Sequence, residues 1–217
     1  MQKILQYNQQ KPARQSLGGG EKKPARNASR SDAGGVLRKI AKEVPVADVK
    51  TPKIKKILKE MSAALKSQDD GVAIAAPQIG YSLRIFLVAG KIFKTGFSER
   101  GLSQADGPRG SAPRARGDSD PEQKDPVAMD MVFINPKISK LSRGKDWVPE
   151  GCLSVRWLYG KTLRSKKATV TAYDENGKKF SRGASGLLAQ IFQHETNHLD
   201  GILFIDHAKD IKEELPK

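Results

Sequence analysis

The sequence predicts an α+β domain. Two segments have apolar residues at helical spacing, short strand-like runs lie between them, and strands and helices do not alternate regularly. A chain of 217 residues is long enough to bury a core. Its single cysteine excludes an intramolecular disulfide framework and is typical of a reducing compartment. We therefore expect one domain spanning residues 1–217.

Two polar segments, 9–35 and 95–126, are predicted low-complexity insertions. Each contains only five apolar residues, too few to offset the entropy cost of ordering the chain. Without them the remainder has the size of one ordinary domain. No apolar run approaches the ~18 residues that a membrane span needs, and no secretory segment opens the chain. We expect a soluble intracellular protein that contacts no membrane.

The first predicted helix begins at Thr51 and runs toward Gly71. Thr51 is a favourable N-cap, and Pro52 suits the first helical position. The following apolar residues recur at helical spacing, as in an amphipathic helix: Ile54, Ile57, Leu58, Met61 and Leu65. Residues 84–89 and 131–134 then predict short buried strands.

The second half predicts a hairpin followed by another helix. Residues 168–173 alternate as a strand does, and the turn sequence at 174–177 leads into a second strand. The helix begins after Ser181 or Ser185 and ends before Gly201, which suits a C-terminal cap.

His194-Glu195-Thr196-Asn197-His198 is the segment with the clearest chemistry. Histidines four residues apart lie on one face of a helix, so both imidazoles can reach one metal ion. Glu195 would then lie beside a water that the ion makes acidic and could take its proton. The apolar residues that precede the motif predict a buried helix, in which two unpartnered histidines would be costly.

A catalytic metal site of this kind has three protein ligands and one open position. The candidates for the third ligand are Cys152 and His207. His207 lies nine residues after His198, three residues beyond the position in the longer zincin signature, so we expect a surface or loop histidine. Cys152 lies in a turn, where a lone cysteine is often only a small buried side chain.

Three motifs, taken together and in order, resemble those of the peptide deformylase family. They are Gly71-Val72-Ala73-Ile74-Ala75-Ala76-Pro77-Gln78, then Glu150-Gly151-Cys152-Leu153-Ser154, then Gln193-His194-Glu195 with Asn197-His198-Leu199. The opening segments 3–7 and 36–41 look like two halves of the family's first segment, divided by the first insertion. The resemblance covers essentially the whole core outside the insertions.

The resemblance implies an α+β fold with the His-Glu-x-x-His helix at its centre, and removal of the formyl group from N-terminal formyl-methionine of nascent chains. It implies one divalent metal ion held by Cys152, His194 and His198. The native ion would be Fe²⁺, with Zn²⁺, Ni²⁺ or Co²⁺ as alternatives, because one thiolate and two imidazoles suit all these ions. It also implies a cytoplasmic bacterial protein, with an organelle as the alternative location.

The resemblance also assigns catalytic roles. A water activated by the ion would attack the formyl carbon, with Glu195 as general acid and base. The Gln78 amide and the backbone N–H of Leu153 would stabilise the oxyanion. Glu150 and Gln193 would orient the ligands and the neighbouring loop.

A methionine pocket and peptide groove are implied as well. Leu187 and Ile191 lie about two turns and one turn before His194, roughly on the same helix face. The residues implied to bind substrate are Gly71, Val72, Ala73, Gly151, Leu187 and Ile191.

The chain departs from the family pattern at three places. Ala73 replaces a glycine whose backbone contacts the substrate, so its methyl group could narrow the groove. Asn197 replaces an aspartate that is not a ligand, so we expect activity to survive. Arg156-Trp157 replaces Pro-Gly, which alters a wall of the groove and the sequence preference.

Two other hypotheses remain. One is a zinc-type metallopeptidase, which would have no use for Cys152 or Gln78. The other is a ribosome- or RNA-associated deformylase-like protein with little activity, suggested by the net charge of +15 and its attraction for nucleic acid. We predict weak association with ribosomal RNA through the basic residues of 136–167: Lys137, Lys140, Arg143, Lys145, Arg156, Lys161, Arg164, Lys166 and Lys167.

Overall fold

Two antiparallel sheets and two α-helices form most of the described part of the chain, which comprises residues 3–7, 35–93 and 129–215 of this computed structural model. The predicted insertions at 9–35 and 95–126 lie outside these ranges, apart from Gly35. The helices are α1 (Pro52–Lys66) and α2 (Gly186–Leu199). The strands are β1 (Ala73–Ala75), β2 (Ile85–Val88), β3 (Met131–Leu141), β4 (Lys145–Gly151), β5 (Leu158–Ser165), β6 (Lys167–Tyr173), β7 (Lys179–Ser185) and β8 (Lys209–Glu213).

The larger sheet has five strands in the order β1-β2-β3-β6-β7, and the smaller has three in the order β4-β5-β8. Every neighbouring pair is antiparallel. The predicted hairpin is confirmed: β6 pairs with β7 across a turn in which Gly177 has a φ of 74°. The mixture of antiparallel sheets and separate helices confirms the predicted α+β class.

Helix α1 begins as predicted and ends earlier. The Thr51 side chain accepts from the Ile54 N–H, and Pro52 occupies the first turn. Its apolar face packs into a buried cluster together with β1 and β2. The helix ends at Lys66, so the small-residue segment after Gly71 does not end a helix but forms β1 and a 3₁₀ turn at Ala76–Ile79.

Helix α2 packs on the five-stranded sheet through an aromatic cluster. Phe86 and Phe133 stack with ring centroids 4.5 Å apart, and Phe192 of α2 lies 5.2 Å from Phe133. All three side chains are fully buried. Such aromatic pairs add to the stabilisation from apolar burial, and here they fix the helix that carries both histidines.

The smaller sheet was not predicted from the sequence. Strand β4 contains three charged residues and a proline, and β5 mixes apolar and basic side chains, so neither gives a clear strand pattern. Strand β3 also extends well beyond the predicted residues 131–134. No helix among the described residues is long and apolar enough to cross a lipid bilayer.

Candidate metal centre and active-site cleft

His194 and His198 project from the same face of α2. The helix follows Ser185, the second of the two predicted caps, and its opposite side is buried against the sheet. The Nε2 atoms of the two histidines lie 3.2 Å apart. The four-residue spacing therefore brings two nitrogen donors together, as predicted.

Cys152 completes a group of three ligand atoms. It follows β4 directly, and its Sγ lies 3.1 Å from the His198 Nε2. The Sγ and the two imidazole nitrogens all lie within 4.8 Å of one another. The Ser154 N–H donates to the same sulfur at 3.4 Å. One thiolate and two imidazoles are a donor set that Zn²⁺, Fe²⁺, Co²⁺ and Ni²⁺ all accept, so these residues fit a divalent metal ion.

The second nitrogen of His194 is held by a buried ionic network. Its Nδ1 lies 2.6 Å from the Glu150 Oε1, and the same carboxylate accepts two bonds from the Arg164 guanidinium, at 2.6 and 2.9 Å. The Thr162 hydroxyl donates to Glu150 as well. A carboxylate on the outer nitrogen of a metal-binding histidine fixes the ring and leaves Nε2 free for the ion.

Charges in this network shift two pKa values in opposite directions. Burial opposes ionisation of Glu150, but His194 and Arg164 outweigh it, so the pKa of Glu150 falls far below its usual range. Burial also opposes protonation of His194, but the Glu150 carboxylate outweighs it and raises the pKa of His194 well above 6.5 in the metal-free protein, so that binding of a metal ion to His194 would release a proton.

His198 has a different environment from its neighbour. Its Nδ1 is buried and has no hydrogen-bond partner among the described residues. Burial lowers the pKa of His198 well below 6.5, and the charge on His194 acts in the same direction. His198 therefore stays neutral, which is the state in which an imidazole binds a metal ion.

Glu195 lies between the two histidines in sequence and on the wall of the cleft. Its side chain is buried, and its Oε2 has no partner among the described residues. Burial raises the pKa of Glu195 to about 7. A carboxyl group with this pKa can both accept and donate a proton at neutral pH.

Gln78 presents its amide N–H₂ toward the same centre. Its Oε1 accepts from the Ala75 N–H at 2.8 Å, while its Nε2 lies 3.1 Å from the Ser154 Oγ and 3.7 Å from the Cys152 Sγ. The side chain is only 2% exposed, so the amide is held in one orientation by its own turn.

A cleft of about 590 Å³ opens beside these residues. Every residue predicted to bind substrate lines it: Gly71, Val72, Ala73, Gly151, Leu187 and Ile191. A Cβ at Gly151 would lie 2.7 Å from ring carbons of Tyr159, so a larger residue there would require that ring to move. Gln193 is not part of the wall; its amide instead joins α2 to β5 through two hydrogen bonds with the Ser165 backbone.

The structure shows the surroundings of the three places at which the sequence departs from the family pattern. Ala73 is 6% exposed, and its side chain belongs to the apolar cluster beneath the sheet, so its methyl is largely accommodated in the core. The Asn197 Oδ1 accepts from Arg164 at 2.6 Å, which an aspartate could also do. Arg156 pairs with Asp70 through two bonds of 3.0 Å and lies over the Trp157 ring, so these residues form one wall of the cleft.

Arg164 and Ser154 are site residues that the sequence did not reveal. The prediction that Arg164 belongs to the basic surface is wrong, because the residue is 7% exposed and its charge is compensated by Glu150. It therefore cannot contribute to a nucleic-acid surface, and Arg156 is already paired with Asp70. His207 is exposed and does not belong to the ligand group, in agreement with its predicted place on the surface.

Comparisons with known proteins identify the family of this chain. Residues 29–214 match the family model described as polypeptide deformylase. A relative named peptide deformylase 2, from Clostridium acetobutylicum, is 37% identical over 172 residues, which is 79% of this chain and 87% of the relative.

Two solved structures have a similar fold. The class I type b peptide deformylase from Acinetobacter baumannii with Met-Ala-Ser bound has a TM-score of 0.59 and 28% identity, covering 79% of this chain and 92% of that one. The Synechococcus elongatus peptide deformylase in complex with actinonin has a TM-score of 0.57 and 28% identity, covering 81% and 74% of the two chains.

Proposed function

The chain belongs to the peptide deformylase family, and on that premise we propose which of its residues perform the reaction. The protein is a metal-dependent hydrolase that removes the formyl group from N-terminal formyl-methionine and releases formate. The metallopeptidase hypothesis is therefore set aside. We assign metal binding to Cys152, His194 and His198, and proton transfer to Glu195. The observation that supports this most is the convergence of the three ligand atoms beside Glu195 on the cleft wall.

A divalent ion bound by these residues would lower the pKa of a coordinated water toward ~7. Glu195 accepts the proton of the attacking water as the new C–O bond forms at the formyl carbon. It then returns a proton to the amine as the C–N bond breaks, so that formate and a free methionine amine result. Its buried carboxyl, with a pKa of about 7, suits both transfers.

The negative charge that develops on the formyl oxygen is stabilised by two fixed donors. We assign them as the Gln78 Nε2 and the backbone N–H of Leu153, which both border the cleft. Removing one such donor from an active site typically costs ~3 kcal/mol of transition-state stabilisation. Glu150 positions His194 through the bond to its Nδ1.

The methionine side chain is proposed to bind between Val72, Leu187 and Ile191. These residues line the cleft beside the metal ligands, and their side chains are apolar. The Acinetobacter relative with Met-Ala-Ser bound supports a peptide that begins with methionine as the ligand of this groove. Gly71, Ala73 and Gly151 would contact its main chain.

The experiment that tests these assignments measures formate release from a formyl-Met-Ala-Ser peptide. We expect Glu195→Gln to lower kcat by about a thousandfold, within the range for loss of a general acid and base, while the metal content stays at one ion per chain. A Gln variant with near-normal kcat would refute the role of Glu195. Hydrolysis of unblocked peptides should be absent in the wild type.

The native ion is proposed to be Fe²⁺. The thiolate and two imidazoles do not select among borderline ions by geometry alone. Purification under anaerobic conditions followed by metal analysis tests this proposal. Iron at one equivalent, with loss of activity on exposure to air and recovery with Fe²⁺, is expected; a protein isolated with zinc alone and fully active would contradict it.

Ribosome association is proposed to involve the outer face of the smaller sheet. Trp147 and Leu163 lie opposite each other there and are each 44% exposed. Exposed lysines surround them: Lys145, Lys161, Lys209 and Lys212. Aromatic and basic side chains together favour single-stranded nucleic acid. We expect cosedimentation with ribosomes that weakens with salt and is lost when Lys145, Lys161 and Lys212 become Glu, while deformylation of a free tripeptide is unchanged.

We also propose that the chain forms one deformylase domain, interrupted at 9–35 and 95–126. Its proposed location is the compartment in which formylated chains are made, which is the bacterial cytoplasm or an organelle. Limited proteolysis should cleave within these two segments and leave formate release intact. Cell fractionation that recovers the activity with membranes would contradict the proposed location.

A further inference from the structure

The segment at residues 5–7 crosses the two turns that carry the proposed oxyanion donors. The Leu5 N–H donates to the Gln78 carbonyl oxygen at 2.7 Å, and the Tyr7 N–H donates to the Ser154 carbonyl oxygen at 2.8 Å. Between them, the Gln6 Nε2 donates to the Leu153 carbonyl oxygen at 2.9 Å. Three successive residues therefore join two turns that are more than 70 positions apart in the chain.

The turn after β4 is held mainly through its carbonyl groups. The Cys152 carbonyl oxygen accepts from the Val155 N–H at 3.0 Å, and the Ser154 N–H is directed at the Cys152 Sγ. The carbonyl groups of Leu153 and Ser154 accept from the N-terminal segment. Among the described residues, the Leu153 N–H donates to no protein acceptor. Leu153 is half-buried and borders the cleft, so this donor is available to a ligand there.

The Gln78 side of the cleft is fixed in the same way. Its side-chain Oε1 is occupied by the Ala75 N–H, which directs the Nε2 toward the Cys152 turn. Its main-chain oxygen is occupied by Leu5. The position of one donor relative to the other therefore depends on a direct backbone connection through residues 5–7.

The far end of this segment is anchored by Arg38. The guanidinium carbon lies 4.5 Å from the centre of the Tyr7 ring, and its Nη1 donates to the Asp206 carboxylate at 2.5 Å. The Arg38 side chain is only 11% exposed. A partly desolvated cation over an aromatic ring and paired with a carboxylate holds Tyr7 in place.

We propose that residues 5–7 are a positioning element that sets the distance between the Gln78 amide and the Leu153 N–H, and that Gln6 is its positioning side chain. Gln6 touches no reacting atom. It holds the carbonyl oxygen of Leu153, and this carbonyl belongs to the peptide unit directly after the free Leu153 N–H. This inference rests on the proposed function, since it needs Gln78 and Leu153 to be the oxyanion donors.

The first test compares Gln6→Met with Lys3→Met. Met keeps the length of Gln and removes the donor, and Lys3 is an exposed residue that lies two positions before the segment. We expect Gln6→Met to lower kcat on formyl-Met-Ala-Ser about fivefold, the equivalent of one modest hydrogen bond. The KM and metal content should match the wild type, because the oxyanion contact that this bond positions forms only in the transition state. Lys3→Met should match the wild type throughout, and Gln6→Lys, which restores an N–H donor, should recover most of the kcat.

A thioformyl peptide distinguishes the loss of oxyanion-donor positioning from a general loosening of the active site. Sulfur is a weak hydrogen-bond acceptor, so the oxyanion donors contribute less to its hydrolysis. The fivefold loss in Gln6→Met should therefore shrink toward unity on the thioformyl substrate.

Equal losses on both substrates, a raised KM at unchanged kcat, or no effect of Gln6→Met would overturn the inference. An inactive wild type would instead refute the proposed function.

Discussion

The two sheets of this protein are held together in different ways. The five-stranded sheet is buried by apolar contacts: Phe86, Phe133 and Ile134 are fully inaccessible to solvent. The three-stranded sheet has an exposed outer face, and the buried side chains of β4 and β5 are polar: Glu150, Thr162, Arg164 and Ser165. The first sheet is a framework for α2, whereas the second delivers Cys152 and the carboxylate behind His194.

This difference determines which substitutions are expected to damage the metal site most. Apolar burial is distributed over many contacts, so one small change costs little. A buried ion pair contributes little net stability compared with apolar packing, yet removing one partner leaves an uncompensated charge and is strongly destabilising. The sheet that carries the chemistry therefore depends on a few side chains.

The largest effect is expected from Cys152→Ala, which removes the contribution of the smaller sheet to the ligand group. Activity should fall about a thousandfold, because a catalytic metal supplies several kcal/mol of transition-state stabilisation. Metal content after dialysis and formate release measure this directly. Full metal retention in the variant would show that the ligand assignment is wrong.

Arg164→Met should destabilise the protein by about 3–5 kcal/mol, because Glu150 is left buried and unpaired. Metal affinity should also fall about 10- to 100-fold, since His194 loses its oriented partner. Urea unfolding and titration with a competing chelator measure the two effects. Arg164→Lys, which keeps the charge without the paired geometry, should be intermediate.

The Arg164 effect should also depend on pH. Arg164 lowers the pKa of Glu150 in the folded state, so its stabilisation is present above the ordinary carboxyl pKa and is lost as the pH falls toward the lower, folded-state pKa. The stability difference between wild type and Arg164→Met, measured on metal-free protein, should narrow from pH 7 to pH 3. A constant difference would mean that Arg164 acts by packing rather than by charge.

Ile134→Val makes a matched change in the larger sheet. We expect a loss of about 1 kcal/mol from one missing methylene, with unchanged metal affinity and KM. Urea unfolding provides the measurement. If Ile134→Val reduced the metal affinity as much as Arg164→Met does, the larger sheet would also control the metal site, and the contrast between the two sheets would be wrong.

The smallest effect is expected on the outer face of the three-stranded sheet. Leu163→Thr replaces a half-exposed side chain in a strand position that threonine tolerates, so stability should stay within about 0.5 kcal/mol of the wild type. Thermal unfolding tests this. A loss above 1 kcal/mol would show that this face is covered in solution.

The sequence predicted the parts of the molecule with a local signal. Helix α2 has apolar spacing and a defined motif, and the hairpin has a turn sequence with Gly177. The strands of the smaller sheet lack such signals, because their pairing with one another, rather than their own composition, makes them strands.

Arg164 illustrates the limit for the site. Its neighbours in sequence are Leu163 and Ser165, and nothing local distinguishes it from the exposed basic residues nearby. Its partners, Glu150 and Asn197, are 14 and 33 residues away. A role that depends on contacts with residues distant in sequence cannot be predicted from the residues that flank Arg164. The spacing of His194 and His198 predicts both as ligands by itself, whereas Cys152 is predicted only by three separate motifs taken together.

The contact of Arg38 with Tyr7 has a consequence for how this gene can change. The two residues bound the chain on either side of positions 8–34, and the guanidinium lies 4.5 Å from the ring. Because this contact holds the two flanking positions close together, the stretch between them can gain or lose residues without changing the distance that it must span. This point of the fold is therefore a natural place for evolution, or for a protein engineer, to add a tag or a second domain without disturbing catalysis.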